Sequence, residues 1–326
     1  MDIRSMNLEE MEALAISLGE KAFRGKQLFQ WVHEKQADDF DEMTNLSAAF
    51  REKLKENYCI SGVRQVEKQV SKKEDTAKYL FALEDDHVIE SVWMKYRHGN
   101  SVCISSQVGC RMGCTFCAST LTGLTRNLTA GEMLSQIYQI QKDTKERVSN
   151  IIVMGMGEPL DNYEELLRFI KLVSCEKGIG ISQRNITVST CGLVDKIRML
   201  ADEKLMPIAN RYTIGEIIQA CKYYFDKTGR RITFEYSMIR GVNDKEEHAK
   251  ELAGRLSGLN CHINLIPLNE VKERNCYRST KEDIEKFKTI LEKYRKTVTI
   301  RREMGSDIDA ACGQLRKKFL TKNGRN

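Results

Sequence analysis

The sequence predicts an α/β protein built from parallel strand–helix units in a wound or barrel-like sheet. Two observations carry that reading. From residue 129 to residue 301 short apolar β-prone runs alternate with helical periods, the rhythm of successive βα units. The informative loops, Gly155-Met-Gly157-Glu158-Pro159, Ser189-Thr190 and Pro267-Leu-Asn269, follow strands, and ligands on such sheets sit at strand carboxyl ends.

The elements justify themselves in order. Leu8, Met11, Leu14 and Leu18 recur at helical spacing, Leu28, Phe29 and Val32 mark a second helix, and a third runs from Leu46 to Tyr58. Arg24, Lys26, Lys35, Arg51 and Lys53 decorate this module of residues 1–60, which fits either a nucleic-acid dock or a plain helical cap. Over residues 61–100 the period shortens. Tyr79–Leu83 and His87–Trp93 are β-prone, with Ser101–Ile104 next, and Asp85-Asp86 and His98-Gly-Asn100 supply turns, so a hairpin extension is expected. Residues 101–315 form the main domain and 316–326 a basic tail, which suits either a phosphate backbone or plain solvation. In the main domain Thr129-Ala-Gly-Glu132 is a capping-box pattern opening a helix. Strands are expected at Ile151–Met154, Asn185–Ser189, Ile232–Tyr236, His262–Ile266 and Val298–Arg301, with helices between them. The rhythm fails once. Two helical segments separate Ser189 from Ile232 with no strand between, and two helices in succession cannot both be single crossovers between neighbouring parallel strands.

Composition bounds the class. The chain has 326 residues, 41% hydrophobic and 30% charged, with a net charge of +6, as expected of a globular protein. No apolar run approaches membrane-spanning length. Eleven cysteines in a chain with no apolar signal region point to a reducing cytoplasm and to metal or redox chemistry.

Cys110-Arg-Met-Gly-Cys114-Thr-Phe-Cys117 places three thiolates at C-x3-C-x2-C spacing on one loop, with aromatic Phe116 before the last. A closed zinc site would need a fourth ligand such as Cys103, in an unusual zinc spacing. A cubane held by three thiolates leaves one iron open for a substrate's amine and carboxylate. Glu158, after two glycines, could pair with an ammonium group, although a Gly/Pro turn is common on its own. Glu90 lies between Ile89 and Val92 and is either outward and solvated or held for acid–base work. Cys312, between Ala311 and Gly313, is either a buried thiol or a nucleophile on a small-residue segment.

Taken together and in order, several segments resemble the RlmN family of the radical S-adenosylmethionine (SAM) superfamily. They are Phe23–Phe29, Phe40–Leu46, Cys103–Cys110, the cysteine triad, Met154–Leu160, Leu265–Asn269, Ile300–Gly305 and Asp307–Leu315. The resemblance implies a partial (β/α) radical-SAM barrel and a [4Fe-4S] cluster on Cys110, Cys114 and Cys117. It implies SAM contacts at Gly157, Glu158, Ser189 and Asn269. It further implies methylation of adenine carbon 2 in ribosomal and transfer RNA. In the implied chemistry Cys312 takes a methyl from one SAM and a second SAM is cleaved to a radical that activates that methyl. The carbon then adds to the base, and Cys103 forms a disulfide with Cys312 to release the product. Glu90 matches the family's general base. A low-potential donor such as flavodoxin, a monomer and no membrane partner are expected. A sister family acts at carbon 8, but Gly-Glu-Pro and Ile-Arg-Arg-Glu resemble the carbon-2 enzymes.

One departure stands out. The family has a strand bearing Ser-Leu-His-Ala between the segments matching Glu203-Lys204 and Leu205-Met206-Pro207, where the rhythm fails. About twenty residues, one strand with its loop, are absent. The expected barrel therefore lacks one stave, and a catalytically impaired RNA-binding relative that keeps the cluster is the alternative.

Overall fold

The computed structural model describes all residues except 98, 115–116, 203–213, 269–276, 303–306, 309–312 and 323–326, and the side chains of 198 and 200–202. The chain divides into two compact units. The first comprises residues 1–111, 122–189 and 305–326, and the second residues 112–121 and 190–304.

The first unit opens with α1 (Leu8–Ser17), α2 (Ala22–Phe29) and α3 (Ala48–Asn57). Asn7 and Glu10 close a capping box at the start of α1, and Ser47 caps α3 through the Phe50 amide. Met11, Leu14, Leu28, Phe29, Phe50 and Leu54 face inward, as the helical spacing predicts. Arg4, before α1, is fully buried. Its guanidinium donates to the carbonyls of Ser61 (2.5 Å) and Ala37 (2.6 Å), to Ser135 Oγ (2.8 Å) and to Asp38 Oδ1 (3.0 Å). It also lies 5.4 Å from the centre of the Tyr138 ring. One buried side chain thus ties the N-terminal helices to the sheet-covering helix that carries Ser135 and Tyr138.

Next come β1 (Arg64–Val70), β2 (Thr76–Ala82), β3 (Val88–Tyr96), β4 (Gly99–Ile104), β5 (Gln107–Gly109), β6 (Leu124–Asn127), α4 (Ala130–Thr144), β7 (Val148–Val153), α5 (Tyr163–Val173) and β8 (Ile186–Val188). The expected capping box forms at α4. Thr129 Oγ1 accepts from the Glu132 amide at 3.1 Å, and Glu132 Oε2 accepts from the Thr129 amide at 2.9 Å. Six strands make one mixed sheet in the order β1-β2-β3-β4-β7-β8, antiparallel as far as β4 and parallel from there. The hairpin expected before the cysteine loop is therefore continuous with the parallel staves. Strand β1 was not expected, because Arg-Gln-Val-Glu-Lys-Gln-Val is mostly polar. Its charges suit an edge strand.

The second unit holds α6 (Val194–Asp202), α7 (Ile214–Thr228), β9 (Ile232–Met238), α8 (Glu246–Arg255), β10 (Cys261–Pro267), α9 (Lys281–Lys293) and β11 (Thr297–Ile300). Its three strands form a parallel sheet in the order β11-β10-β9. Along β10 every second residue is buried, from Cys261 to Pro267, so one face of the strand is covered and the other half open.

Among the described residues β8 pairs only with β7, and β9 only with β10. The parallel sheet stops where the sequence rhythm fails. This is a partial barrel, as expected, and no closed barrel is formed among the described residues. The segment Glu203–Pro207 lies outside the described residues.

The basic tail expected at 316–326 needs correcting. Its start belongs to α10 (Gln314–Lys322), and Leu315 and Arg316 are buried. Leu315 packs with Leu80, Ala82 and Val88, flanked by Val66, Phe319 and Leu320. Full burial of one such leucine stabilises by about 1.5–3 kcal/mol, enough to hold a short basic helix on the sheet. The apolar positions 315, 319 and 320 recur at helical spacing within a charged run, and the charge masked them.

Candidate active site

The register of the six-stranded sheet sets up the site. Lys78, Val92, Cys103, Ile152 and Thr187 are successive partners across β2, β3, β4, β7 and β8, so they form one row on one face. Glu90, two residues before Val92, shares that face. Cys103, Val92 and Ile152 are half-buried there. Their neighbours Val102, Ile104, Ile151 and Val153 point the other way and are fully buried.

Glu90 is 3% exposed, which overturns the solvated reading. Its Oε2 accepts from Lys78 Nζ at 2.9 Å and from the Gly313 amide at 2.5 Å, while Oε1 accepts from the Arg316 amide at 2.6 Å. Lys78 is itself fully buried on β2. Arg316 Nη1 donates to Thr122 Oγ1 at 3.0 Å, and burial lowers the pKa of its guanidinium against the opposing field of Glu90. Cys312 lies outside the described residues, and so does Asn269.

A buried polar hub joins the Cys103 strand to the Gly-Glu-Pro loop. Ser105 Oγ donates to the Glu90 carbonyl at 2.6 Å and accepts from the Met156 amide at 3.0 Å. Gln136 binds both the amide and the carbonyl of Ser105, and it accepts from Ser91 Oγ. Gln107 Oε1 accepts from the Glu158 amide at 2.8 Å, and Gln107 Nε2 donates to Asn127 and to Asp161 Oδ2. Asn162 donates to the carbonyls of Ser106 and Leu128. Gln107, Gln136 and Asn162 were not expected from the sequence. Polar side chains read as surface until the fold buries them, and the nearest signal was the Ser-Ser-Gln run after Cys103.

Gly157 adopts φ +100°, and a Cβ there would stand 2.6 Å from Gln107 Cβ, so this position needs glycine for packing alone. Glu158 is 3% exposed, and its Oε1 accepts from the Leu160 amide at 3.1 Å. Ser189 continues the β8 pairing, its amide donating to the Val153 carbonyl at 3.1 Å.

Cys110 directly follows β5, before the chain returns as β6, in the first unit. It is 7% exposed, and its amide donates to the Gly123 carbonyl at 2.9 Å. Gly109 before it has φ +79°, and a Cβ there would meet that same carbonyl oxygen at 1.9 Å. The neighbouring Arg111 pairs with Asp161. In the second unit Thr120 Oγ1 donates to the carbonyls of Cys114 (3.1 Å) and Cys117 (2.9 Å), and the Cys117 amide donates to the Cys114 carbonyl at 3.1 Å. Burial pushes the Cys117 thiol pKa up, against hydrogen bonds at Ser119. Thr115 and Phe116 lie outside the described residues. Among the described residues no cysteine is in a disulfide, and no three His, Cys, Asp or Glu side chains stand close enough together to share a metal ion.

Comparison with known proteins defines the lineage. Residues 1–60 match the ribosomal RNA large subunit methyltransferase N-terminal domain, and residues 104–205 match the radical SAM superfamily. A protein of Lachnoclostridium phytofermentans, described as "Probable dual-specificity RNA methyltransferase RlmN", is 55% identical over 341 aligned positions, covering 99% of this chain and 96% of that one. A protein of Lachnospira eligens with the same description is 56% identical over 338 positions, covering 98% and 97%. Both alignments are longer than this 326-residue chain, so the relatives carry residues with no counterpart here. The crystal structure of a radical SAM methyltransferase from Sphaerobacter thermophilus superposes with a TM-score of 0.89 at 40% identity, covering 96% of this chain and 98% of that one. With relatives this similar over nearly its whole length, the chain belongs to the RlmN family of radical SAM methyltransferases.

Proposed function

We propose that this protein methylates carbon 2 of adenine in large-subunit ribosomal RNA and in transfer RNA, with Cys312 as methyl carrier and Cys103 as the thiol that frees the product. One observation carries the reading. Cys103 lies on the sheet face where Glu90, one strand away, holds the amide of Gly313, the residue that follows Cys312. The residue that follows Cys312 in sequence is thereby tied to the strand next to that of Cys103. The names of the relatives, RNA methyltransferases of dual specificity, support the substrate class.

Three thiols on one loop fit a cluster that keeps an open iron, and Cys110, Cys114 and Cys117 would hold it. A cluster held there would supply one-electron chemistry on SAM, able to make an unreactive methyl group reactive. The chain's own residues do the rest. Cys312 accepts a methyl group as a thioether and presents that carbon to the base. The Cys103 thiolate then attacks the Cys312 sulfur. A disulfide forms, the bond between Cys312 and the carbon breaks, that carbon, by then bonded to adenine carbon 2 in place of its hydrogen, takes up a proton, and the methylated adenine leaves. The half-buried Val92 and Ile152 flank Cys103 and restrict water around its sulfur. Gly157, Glu158, Ser189 and Asn269 would contact SAM, Glu158 through its amine. The helices of residues 1–60 would dock the RNA, a low-potential flavodoxin-type donor would supply the electron, and a cytoplasmic monomer is the working form.

A second reading has its own support. Among the described residues the six-stranded sheet ends at β8, and the relatives carry extra aligned residues, so a catalytically impaired RNA-binding relative is the competitor. Anaerobic cluster reconstitution with SAM, reductant and a ribosomal RNA fragment separates the two. The proposal expects 2-methyladenosine in nucleoside mass spectra, absent in Cys312→Ala and Cys103→Ala. An intact cluster with no product, and product on grafting in the absent strand, would overturn it in favour of the impaired relative.

A further inference from the structure

The segment that contains Cys312 is tied to the sheet on both sides. Before it, Asp307 Oδ1 accepts from Ser71 Oγ at 2.6 Å and Oδ2 from the Lys72 amide at 2.7 Å, both in the β1–β2 turn. After it, Glu90 accepts the amides of Gly313 and Arg316. Gly313 stands at the N-cap of α10, and Arg316 is the third residue of that helix. A serine or aspartate at the cap would accept the third amide from its own side chain. Glycine cannot, so the acceptor comes from β3. A carboxylate also suits the positive end of the helix.

Lys78 completes the arrangement. Its strand neighbour Leu80 pairs with Glu90, its Nζ lies 2.9 Å from Glu90 Oε2, and both side chains are out of water. The two Glu90 oxygens thus meet three donors that the fold holds in place. A carboxylate so occupied serves as a fixed acceptor.

We propose that Lys78 and Glu90 are a positioning pair which, with Asp307 at the other anchor, fixes where Cys312 can stand. Consecutive Cα atoms are about 3.8 Å apart, so a lost hold on the Gly313 amide should be felt at its chain neighbour Cys312. This gives Glu90 a different task from the proton acceptor that the family resemblance implies. The functional consequence rests on the reading of Cys312 as methyl carrier, whereas the anchoring itself does not.

The test uses the full-length chain with its cluster reconstituted. Wild type, Lys78→Met, Glu90→Gln and Asp307→Asn are compared by amide hydrogen exchange at Gly313 and Arg316 and by the iodoacetamide rate at Cys312 relative to Cys103. Methylation of Cys312 after SAM addition and formation of 5′-deoxyadenosine are followed in parallel. Lys78→Met and Glu90→Gln should speed exchange at both amides by about tenfold or more, the signature of a lost anchor. They should also change the relative alkylation rate and depress Cys312 methylation together, while SAM cleavage continues uncoupled from RNA. Asp307→Asn should change the Cys312 alkylation rate while leaving the two amides protected. A proton acceptor acts only after the carbon has joined the base. Normal Cys312 methylation in both variants, with Glu90→Gln stalled as a Cys312–RNA adduct and both amides still protected, would overturn the proposal. If Lys78→Met does not fold, the Lys78→Met/Glu90→Leu double variant keeps the packing and lacks the acceptor. Fast exchange at the two amides in that protein supports the proposal, and unchanged protection defeats it. If the wild type never methylates Cys312, the functional reading fails, and the exchange data still decide the anchoring.

Discussion

The first unit buries charge in several places, and two of them do so differently. Around Arg4 the partners are mostly neutral, namely two carbonyls, a serine hydroxyl and the face of Tyr138. The one carboxylate, Asp38, is 41% exposed by side chain and also meets Lys142. At Lys78 and Glu90 both members of an ion pair are out of water, and the carboxylate reaches on to two backbone amides. The first arrangement joins helices to a sheet, and its geometry needs only to be satisfied. The second spends its hydrogen bonds on a short stretch of backbone next to a candidate nucleophile. A fully desolvated ion pair is a poor source of stability, and replacing both partners by apolar groups is often neutral or better. Its presence here is better explained by placement than by stability.

Breaking the ion pair should have the largest effect. Lys78→Met leaves Glu90 buried without its cation and should destabilise the protein by about 3–5 kcal/mol in denaturant unfolding. Lys78→Met/Glu90→Leu should recover most of that loss without recovering activity. Equal losses in single and double variants would mean that the lysine stem, and not the charge, matters. Arg4→Met strands two buried carbonyls and should cost about 3 kcal/mol. Product formed per folded molecule should stay at the wild-type level, and a fall in that ratio would erase the contrast between the two regions.

A gentler probe is pH. His33, 1% exposed, bonds to the Tyr138 hydroxyl at 2.9 Å, and burial together with the charge of Arg4 lowers its pKa to about 3. The unfolded chain binds this proton near the ordinary histidine value, about 6.5. Above that value His33 is neutral in both states and its contribution is complete. As pH falls from there toward 3, the unfolded state gains the proton first and stability declines. The slope should approach about 1.4 kcal/mol per pH unit from this one group. His33→Asn should flatten the unfolding free energy between pH 6 and 4, measured at fixed salt. A slope unchanged by the substitution would assign the acid sensitivity to the carboxylates. The smallest effect on stability is expected at the exposed Asp307, where Asp307→Asn should leave the thermal midpoint unmoved while changing the alkylation rate of Cys312.

Much of this was legible in the sequence because periodicity survives in the strands and helices that bury apolar residues. The strands at β2, β3, β4, β7, β8, β9, β10 and β11 and most of the helices lie where the pattern predicts them. The interruption after Ser189 coincides with the break between β8 and β9. Other features were hidden, each for a physical reason. Strand β1 is an edge strand and carries charge instead of an apolar face. The helix α10 buries Leu315 and leans Phe319 and Leu320 on the same cluster, inside a run of lysines that reads as solvated. Lys78, in Thr-Ala-Lys-Tyr-Leu-Phe-Ala, reads as the outward residue of an alternating strand. Only the register with Glu90, set by a turn several residues away, shows that this strand is covered on both faces. The local pattern left Glu90 open between a solvated and a held carboxylate for the same reason, since it cannot show what a helix more than two hundred residues later will cover. The cysteine spacing was plain, because ligand chemistry depends on residue type and interval and little on burial.

The discontinuity of the first unit has a consequence for synthesis. Residues 305–326 belong to it, yet they follow the whole of residues 190–304 in the chain. On a ribosome, β2 and β3 emerge and pair long before α10 exists. Domains generally fold as they emerge, N-terminal parts first. For most of translation the Lys78–Glu90 pair therefore has no helix over it, and water can reach both charges. The helix that covers them, α10, is made only after residues 190–304. Gly313, next to the candidate nucleophile, meets its anchor only after the three cysteines that would hold the cluster have been made.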